Sequence, residues 1–126
     1  MKITTFDPLI VSKDLEGAVK VFEELGFAKT HAPVTTVELG DVQCIRMKHE
    51  AGYHIDIADA LQDIPRDYIN IRMNVDNFAE AYDLLIRHGF KNNRGDNTVD
   101  TKSAKAATMV SPSGFSISLV EHIKEK

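Results

Sequence analysis

The chain repeats itself, and that repetition limits the folds open to it more than any other feature. Leu15, Ala18, Val19, Phe22 and Leu25 recur at helical spacing, and so do Phe78, Ala81, Tyr82 and Leu85. Each stripe runs into a Gly-Phe pair, Gly26-Phe27 and Gly89-Phe90, where glycine can take the left-handed backbone that ends a helix. The second stripe and its Gly-Phe pair lie 63 residues after the first. Ser12 and Asp14 are the capping candidates of the first helix and Asn77 of the second, where Glu80 would complete a capping box.

The repetition extends into the strands. Met47 is followed by Gly52-Tyr53 and the run His54 to Ile57, and Met109 by Gly114-Phe115 and the run Ser116 to Leu119, an offset of 62. A strand opens each half, at 6–11 and at 68–75. In the first half, 28–39 reads as a long strand interrupted by Pro33, with Gly40-Asp41 as the turn after it. In the second, 91–105 is poor in large apolar residues and reads as a short strand followed by a mobile loop over 93–105, placed at the mouth of a pocket. The linker is Leu61 to Arg66, with Pro65 inside it. The expected fold is α+β, with βαβββ modules at 1–62 and 67–126 forming one domain. A single such module leaves a whole sheet face bare, so two are needed for either to be stable.

Strand alternation sorts the side chains into two faces. Ile55 and Ile57, Ile117 and Leu119, and Ile69, Ile71 and Met73 form the apolar set expected beneath the helices. The opposite face then carries His54 and Asp56, Ser116 and Ser118, and Tyr68, Asn70 and Arg72.

Composition excludes several classes. The net charge of −4, without any block of like charges, offers no electrostatic footprint for nucleic acid. The N-terminus has no apolar leader, and no apolar run is long enough to cross a bilayer, so a membrane role is not expected. The single cysteine, Cys44, can form neither an intrachain disulfide nor a cysteine-based zinc cluster, which suits a reducing cytoplasm. No P-loop, dinucleotide fingerprint or G-x-S-x-G turn occurs. Ser118, His54 and Asp56 could be assembled as a triad on paper, but no nucleophile turn accompanies them.

Three segments carry a family resemblance. Ile10-Val11-Ser12-Lys13-Asp14-Leu15 leads into a helix ending Glu24-Leu25-Gly26-Phe27, and Asn74-Val75-Asp76-Asn77 leads into one ending Gly89-Phe90. Ser111-Pro112-Ser113-Gly114-Phe115 precedes the last strand. In this order the chain resembles the vicinal-oxygen-chelate superfamily of glyoxalases, bleomycin-resistance proteins and extradiol dioxygenases. The resemblance implies a curved, mostly antiparallel sheet around a central cavity, and a homodimer. It also implies four metal-ligand positions, which fall at Phe6, Asp56, Asn70 and Ser118. Only Asp56 has suitable chemistry, and a one-residue slip would replace Phe6 by Asp7.

The expectation is therefore a metal-free, cofactor-free protein of the bleomycin-resistance type, binding a small molecule rather than transforming it. Two alternatives stand beside it. One is a metal-dependent lyase, isomerase or dioxygenase with a displaced set of Asp7, His54 and Asp56. The other is a structural or regulatory module whose concave face holds only water or a partner. The expected ligand site comprises Phe6, His54, Asp56, Tyr68, Asn70, Arg72, Ser116 and Ser118, with Pro8 adding apolar area. Arg72 is the expected anchor for an acidic group, with Asp56 its partner when no ligand is bound.

Overall fold

The computed structural model describes residues 1–32, 34–37, 40–60, 63–95, 98–100 and 103–123. Among them the chain runs β1 (Ile3–Ser12), α1 (Leu15–Glu24), β2 (Phe27–His31), β3 (Val34–Val37), β4 (Gly40–His49) and β5 (His54–Asp59). It continues β6 (Tyr68–Val75), α2 (Phe78–Arg87), β7 (Lys91–Asn92), β8 (Val99–Asp100), β9 (Ala104–Val110) and β10 (Ser116–His122). Two compact units emerge, one of residues 7–69 and one of residues 1–6 with 70–126.

Both units use one pairing scheme. In the first, β1 lies parallel to β5, β5 antiparallel to β4, and β4 antiparallel to β2 and β3. In the second, β6 lies parallel to β10, β10 antiparallel to β9, and β9 antiparallel to β7 and β8. A parallel neighbour requires a long crossover, and the helix plus intervening strands supply it.

Local chemistry sets the helix ends. The Asp14 carboxylate accepts from the Gly17 N–H at 3.0 Å, and the Asn77 side chain accepts from the Glu80 N–H at 3.1 Å. Glu80 turns its carboxylate to the Met1 ammonium, 3.2 Å away, rather than back along the helix. Gly26 and Gly89 stop the helices with φ of 102° and 87°. Ser12 is not the cap. Its buried hydroxyl donates to Asp67 at 2.7 Å and accepts from the Asp14 N–H. The Lys13 N–H and then the Ser12 hydroxyl hold the Asp67 carboxyl below its ordinary range, against a smaller opposing effect of desolvation.

The cores lie where alternation places them. α1 sets Val19 over Met47, Ile55 and Ile57, with Ile10, Phe22 and Phe27 packed alongside. α2 sets Phe78, Ala81 and Leu85 over Met73, Val75, Met109, Ile117 and Leu119. Each large apolar side chain so buried contributes about 1.5–3 kcal/mol.

Three local expectations are corrected. Gly40 and Asp41 do not form a turn, because they pair with Val37 and Thr36 as strand residues of β4. Pro33 and Leu39 lie outside the described residues. The described residues within 93–105 do not form one open loop, and residues 96–97 and 101–102 lie outside the described residues. Val99 and Asp100 pair with Ala106 and Lys105, the Asn93 N–H donates to the Thr108 carbonyl, and Ala104 and Lys105 belong to β9. Small side chains such as alanine still allow strand pairing through the backbone, so the lack of large apolar residues there was a poor guide. Ile69 is 65% exposed instead of covered, because the pairing of β6 with β10 begins two residues later, at Ile71 and Ile117.

Candidate functional site

On the sheet face away from the helices, each unit carries a row of three paired residues. In the unit of residues 7–69 the row is Leu9, Asp56 and Arg46, contributed by β1, β5 and β4. In the other it is Arg72, Ser118 and Thr108, contributed by β6, β10 and β9. The rows are equivalent under the repeat: Arg72 stands 63 residues after Leu9, and Ser118 and Thr108 stand 62 after Asp56 and Arg46. Each row thus holds one arginine, on opposite flanks.

The first row is self-neutralising. Asp56 is fully buried, and its Oδ1 accepts from Arg46 Nε at 3.1 Å. The Arg46 side chain keeps 31% exposure against 1% for Asp56, so the carboxylate lies beneath its partner. The next pair on this face is Lys48 with His54, both exposed, and on the other side Cys44 pairs with Ala58.

The second row offers hydroxyls beside its arginine. Arg72 is half-buried, and its Nε donates to Asn74 Oδ1 over a long 3.5 Å. Asn70 is buried, and its side-chain oxygen accepts a hydrogen bond from the Ser116 hydroxyl. Val110, Val120 and Ala106 share the face as partners of Ser116, Asn74 and Val120 respectively, so apolar surface flanks the polar groups. A guanidinium among hydroxyls, amides and aliphatic side chains suits a ligand with an acid group and an apolar body.

Asn70, Arg72, Ser116 and Ser118 therefore share one face of one unit, as alternation required. His54 and Asp56 share a face of the other, with His54 exposed at the strand end. Tyr68 opens β6 and is 46% exposed. Phe6 is corrected: it is 64% exposed, whereas the neighbouring Asp7 is buried at 7%. Successive strand residues point to opposite sides, so Asp7 shares the parity of Leu9 while Phe6 and Pro8 share that of Ile10, which packs toward the helix. Sequence reasoning also missed Arg46, Asn74 and Thr108. Arg46 was within reach of it, because the tight turn closed by the His49 N–H to the Tyr53 carbonyl fixes Arg46 opposite Asp56.

No protein-family model matches the sequence, and comparison with curated proteins finds no match. Solved structures do match. Methylmalonyl-CoA epimerase from Mycobacterium tuberculosis aligns with a TM-score of 0.71 at 16% identity, over 97% of this chain and 90% of that one. A glyoxalase/bleomycin resistance protein/dioxygenase superfamily member from Vibrio splendidus 12B01 aligns with a TM-score of 0.64 at 11% identity, over 95% and 99%. The chain has the vicinal-oxygen-chelate fold. Methylmalonyl-CoA epimerase from Streptomyces coelicolor, solved with 2-nitronate-propionyl-CoA, shares this fold with a TM-score of 0.66 at 15% identity, over 98% and 100%. No helix is long and apolar enough to cross a membrane among the described residues.

Metal-dependent proteins of the vicinal-oxygen-chelate fold draw ligands from both modules, and the residues here do not fit that use. Ser118 and Asn70 are neutral, weak donors, and Asn70 is already engaged by Ser116. Asp56 faces a guanidinium, which competes with any cation for its Oδ1. Among the described residues no three His, Cys, Asp or Glu side chains gather closely enough to hold a metal ion. Asp7, His54 and Asp56 are all described, so the displaced set does not assemble.

Proposed function

We propose that this protein is a metal-free small-molecule binding protein of the sequestering kind, which grips the acidic group of a partly apolar ligand on Arg72. The observation that carries this reading is the row Arg72, Ser118 and Thr108, in which an arginine is paired across the sheet with hydroxyl side chains. The planar fork suits two parallel hydrogen bonds to a carboxylate or phosphate, with Ser118 and Thr108 as further donors. Asn74 steadies the Nε edge, and Ser116 holds Asn70 in place beside the row. The aliphatic side chains of Val110 and Val120 offer surface for the ligand's body. Binding rather than turnover is the reading supported by the neutral side chains Asn70 and Ser118 at two of the four implied ligand positions.

The protein works in this reading as a homodimer in the cytoplasm. A 126-residue chain has a limited core, which association enlarges. Native mass spectrometry of protein purified without chelators tests the proposal. The expected spectrum shows a dimer with no stoichiometric metal, and any co-purified molecule is acidic. One tightly held metal per chain, lost in Asp56→Ala, would contradict it.

A further inference from the structure

The other unit's arginine, Arg46, has a different environment and takes no part in the grip proposed for Arg72. Arg46 projects from β4 and gives its Nε to Asp56 Oδ1 at 3.1 Å. A guanidinium has five N–H donors, one on Nε and four on the two Nη atoms. The Asp56 contact uses the Nε side, and among the described residues the Nη atoms donate to nothing. The carboxylate that fixes the guanidinium is 1% exposed while the guanidinium side chain is 31% exposed, so the ion pair is layered with the cation outward. The polar neighbours on this face follow the same layering. Asp7 and Asp56 are buried, whereas Lys48, His54 and His31 are exposed, Lys48 paired with His54 and His31 paired with Arg46. Acidic groups thus sit beneath and basic groups above.

We infer that Arg46 is a second oxyanion anchor, independent of Arg72, which presents its Nη edge to a carboxylate or phosphate while Asp56 holds the guanidinium in orientation. A side chain already locked by a buried partner loses little further freedom when it binds, so the fork is preorganised. Lys48 adds a second positive charge one row along the sheet, and the His31 and His54 rings add hydrogen-bonding nitrogens. Asp56 is a positioning residue in this arrangement, because it acts through Arg46 and does not touch the ligand.

The test uses the full chain and two probes, inorganic phosphate and benzoate, titrated while arginine side-chain N–H signals are followed by NMR. The expected result is saturable binding of at least one probe that shifts the Arg46 signals, with the tighter probe identifying the oxyanion class. Arg46→Met should weaken that binding at least about tenfold, because a charge-assisted pair of hydrogen bonds is lost. Arg46→Lys should recover only part, since an ammonium keeps the charge and loses the fork. Arg46→Met leaves the Asp56 carboxylate buried without its cation, which costs stability, so the charge-neutral Arg46→Met, Asp56→Asn pair is measured beside it with the same expected loss. Binding unchanged in the folded double variant, or no saturable binding in the wild type, overturns the inference. Arg72→Ala separates this site from the one proposed above. Loss of probe binding in Arg72→Ala with none in the Arg46 variants defeats the Arg46 site alone, and the reverse outcome leaves the Arg46 site standing and defeats the Arg72 anchor.

Discussion

The two modules answer one structural position with opposite chemistry. At the centre of the polar face, residues 9, 56 and 46 in one unit correspond to residues 72, 118 and 108 in the other, with the same pairing. The first unit fills the position with an internal ion pair, Asp56 and Arg46, beside the apolar Leu9. The second fills it with two hydroxyls beside Arg72. The connecting turns differ in the same spirit. Both close through a backbone bond of 2.8 Å, from His49 to Tyr53 and from Ser111 to Phe115. In one an imidazole, His49 Nδ1, accepts the Ala51 N–H; in the other the Ser111 hydroxyl accepts the Gly114 N–H. A duplicated scaffold therefore preserves backbone pairing and helix packing while side chains on the face away from the helices diverge.

The sharpest way to break the comparison is to remove one side of the buried pair. Arg46→Met leaves Asp56 buried without its cation and should cost about 3–5 kcal/mol, whereas Thr108→Val at the equivalent position should cost under about 1 kcal/mol. Urea unfolding of both variants checks this, and equal costs would mean the rows are energetically alike. The cores should behave in the opposite manner, as equals. Met47 and Met109 are repeat partners, and both are completely buried. Alanine at either should cost about 2–5 kcal/mol, with the two values close to each other. A large disparity by the same measurement would show that one module dominates stability.

The helix caps form a smaller matched pair. Asp14→Ala and Asn77→Ala each remove an acceptor for a first-turn N–H, and each should lower stability by about 1 kcal/mol. Least in size is a pH effect confined to the first unit. The folded Asp67 carboxyl titrates below its unfolded value near 3.8, so its contribution is present above that value and fades as the pH falls through the folded one. Asp67→Asn should therefore be less stable than wild type at pH 6, and the difference should shrink toward zero in strong acid. A difference that grows on acidification would reverse the assignment.

The fold was legible because its signals are local and occur twice. The helical stripes, the Gly-Phe stops and the Asp14 and Asn77 caps all depend on neighbours within a few residues. The polar face of the second unit was legible for a similar reason, since alternation along β6 and β10 alone places Arg72 and Ser118 on one side. Phe6 was misplaced because a one-residue error in anchoring a strand exchanges its faces, and only the packing of Ile10 fixes the parity of β1. Arg46 went unrecognised because its importance lies in a partner ten residues away across a turn. The strand pairing within 93–105 was hidden because Val99 and Asp100 pair through backbone atoms, which side-chain periodicity does not report.

Arg72 is proposed to anchor an acidic ligand without a metal. A thermal-shift screen of small carboxylates, phosphates and amines against wild type and Arg72→Ala, in buffer with and without a chelator, tests it most directly. Partly apolar acids should stabilise the wild type, the chelator should leave this unchanged, and the stabilisation should disappear in Arg72→Ala. Acids that stabilise both forms equally, amines that stabilise the wild type in their place, or a shift abolished by chelator would contradict it.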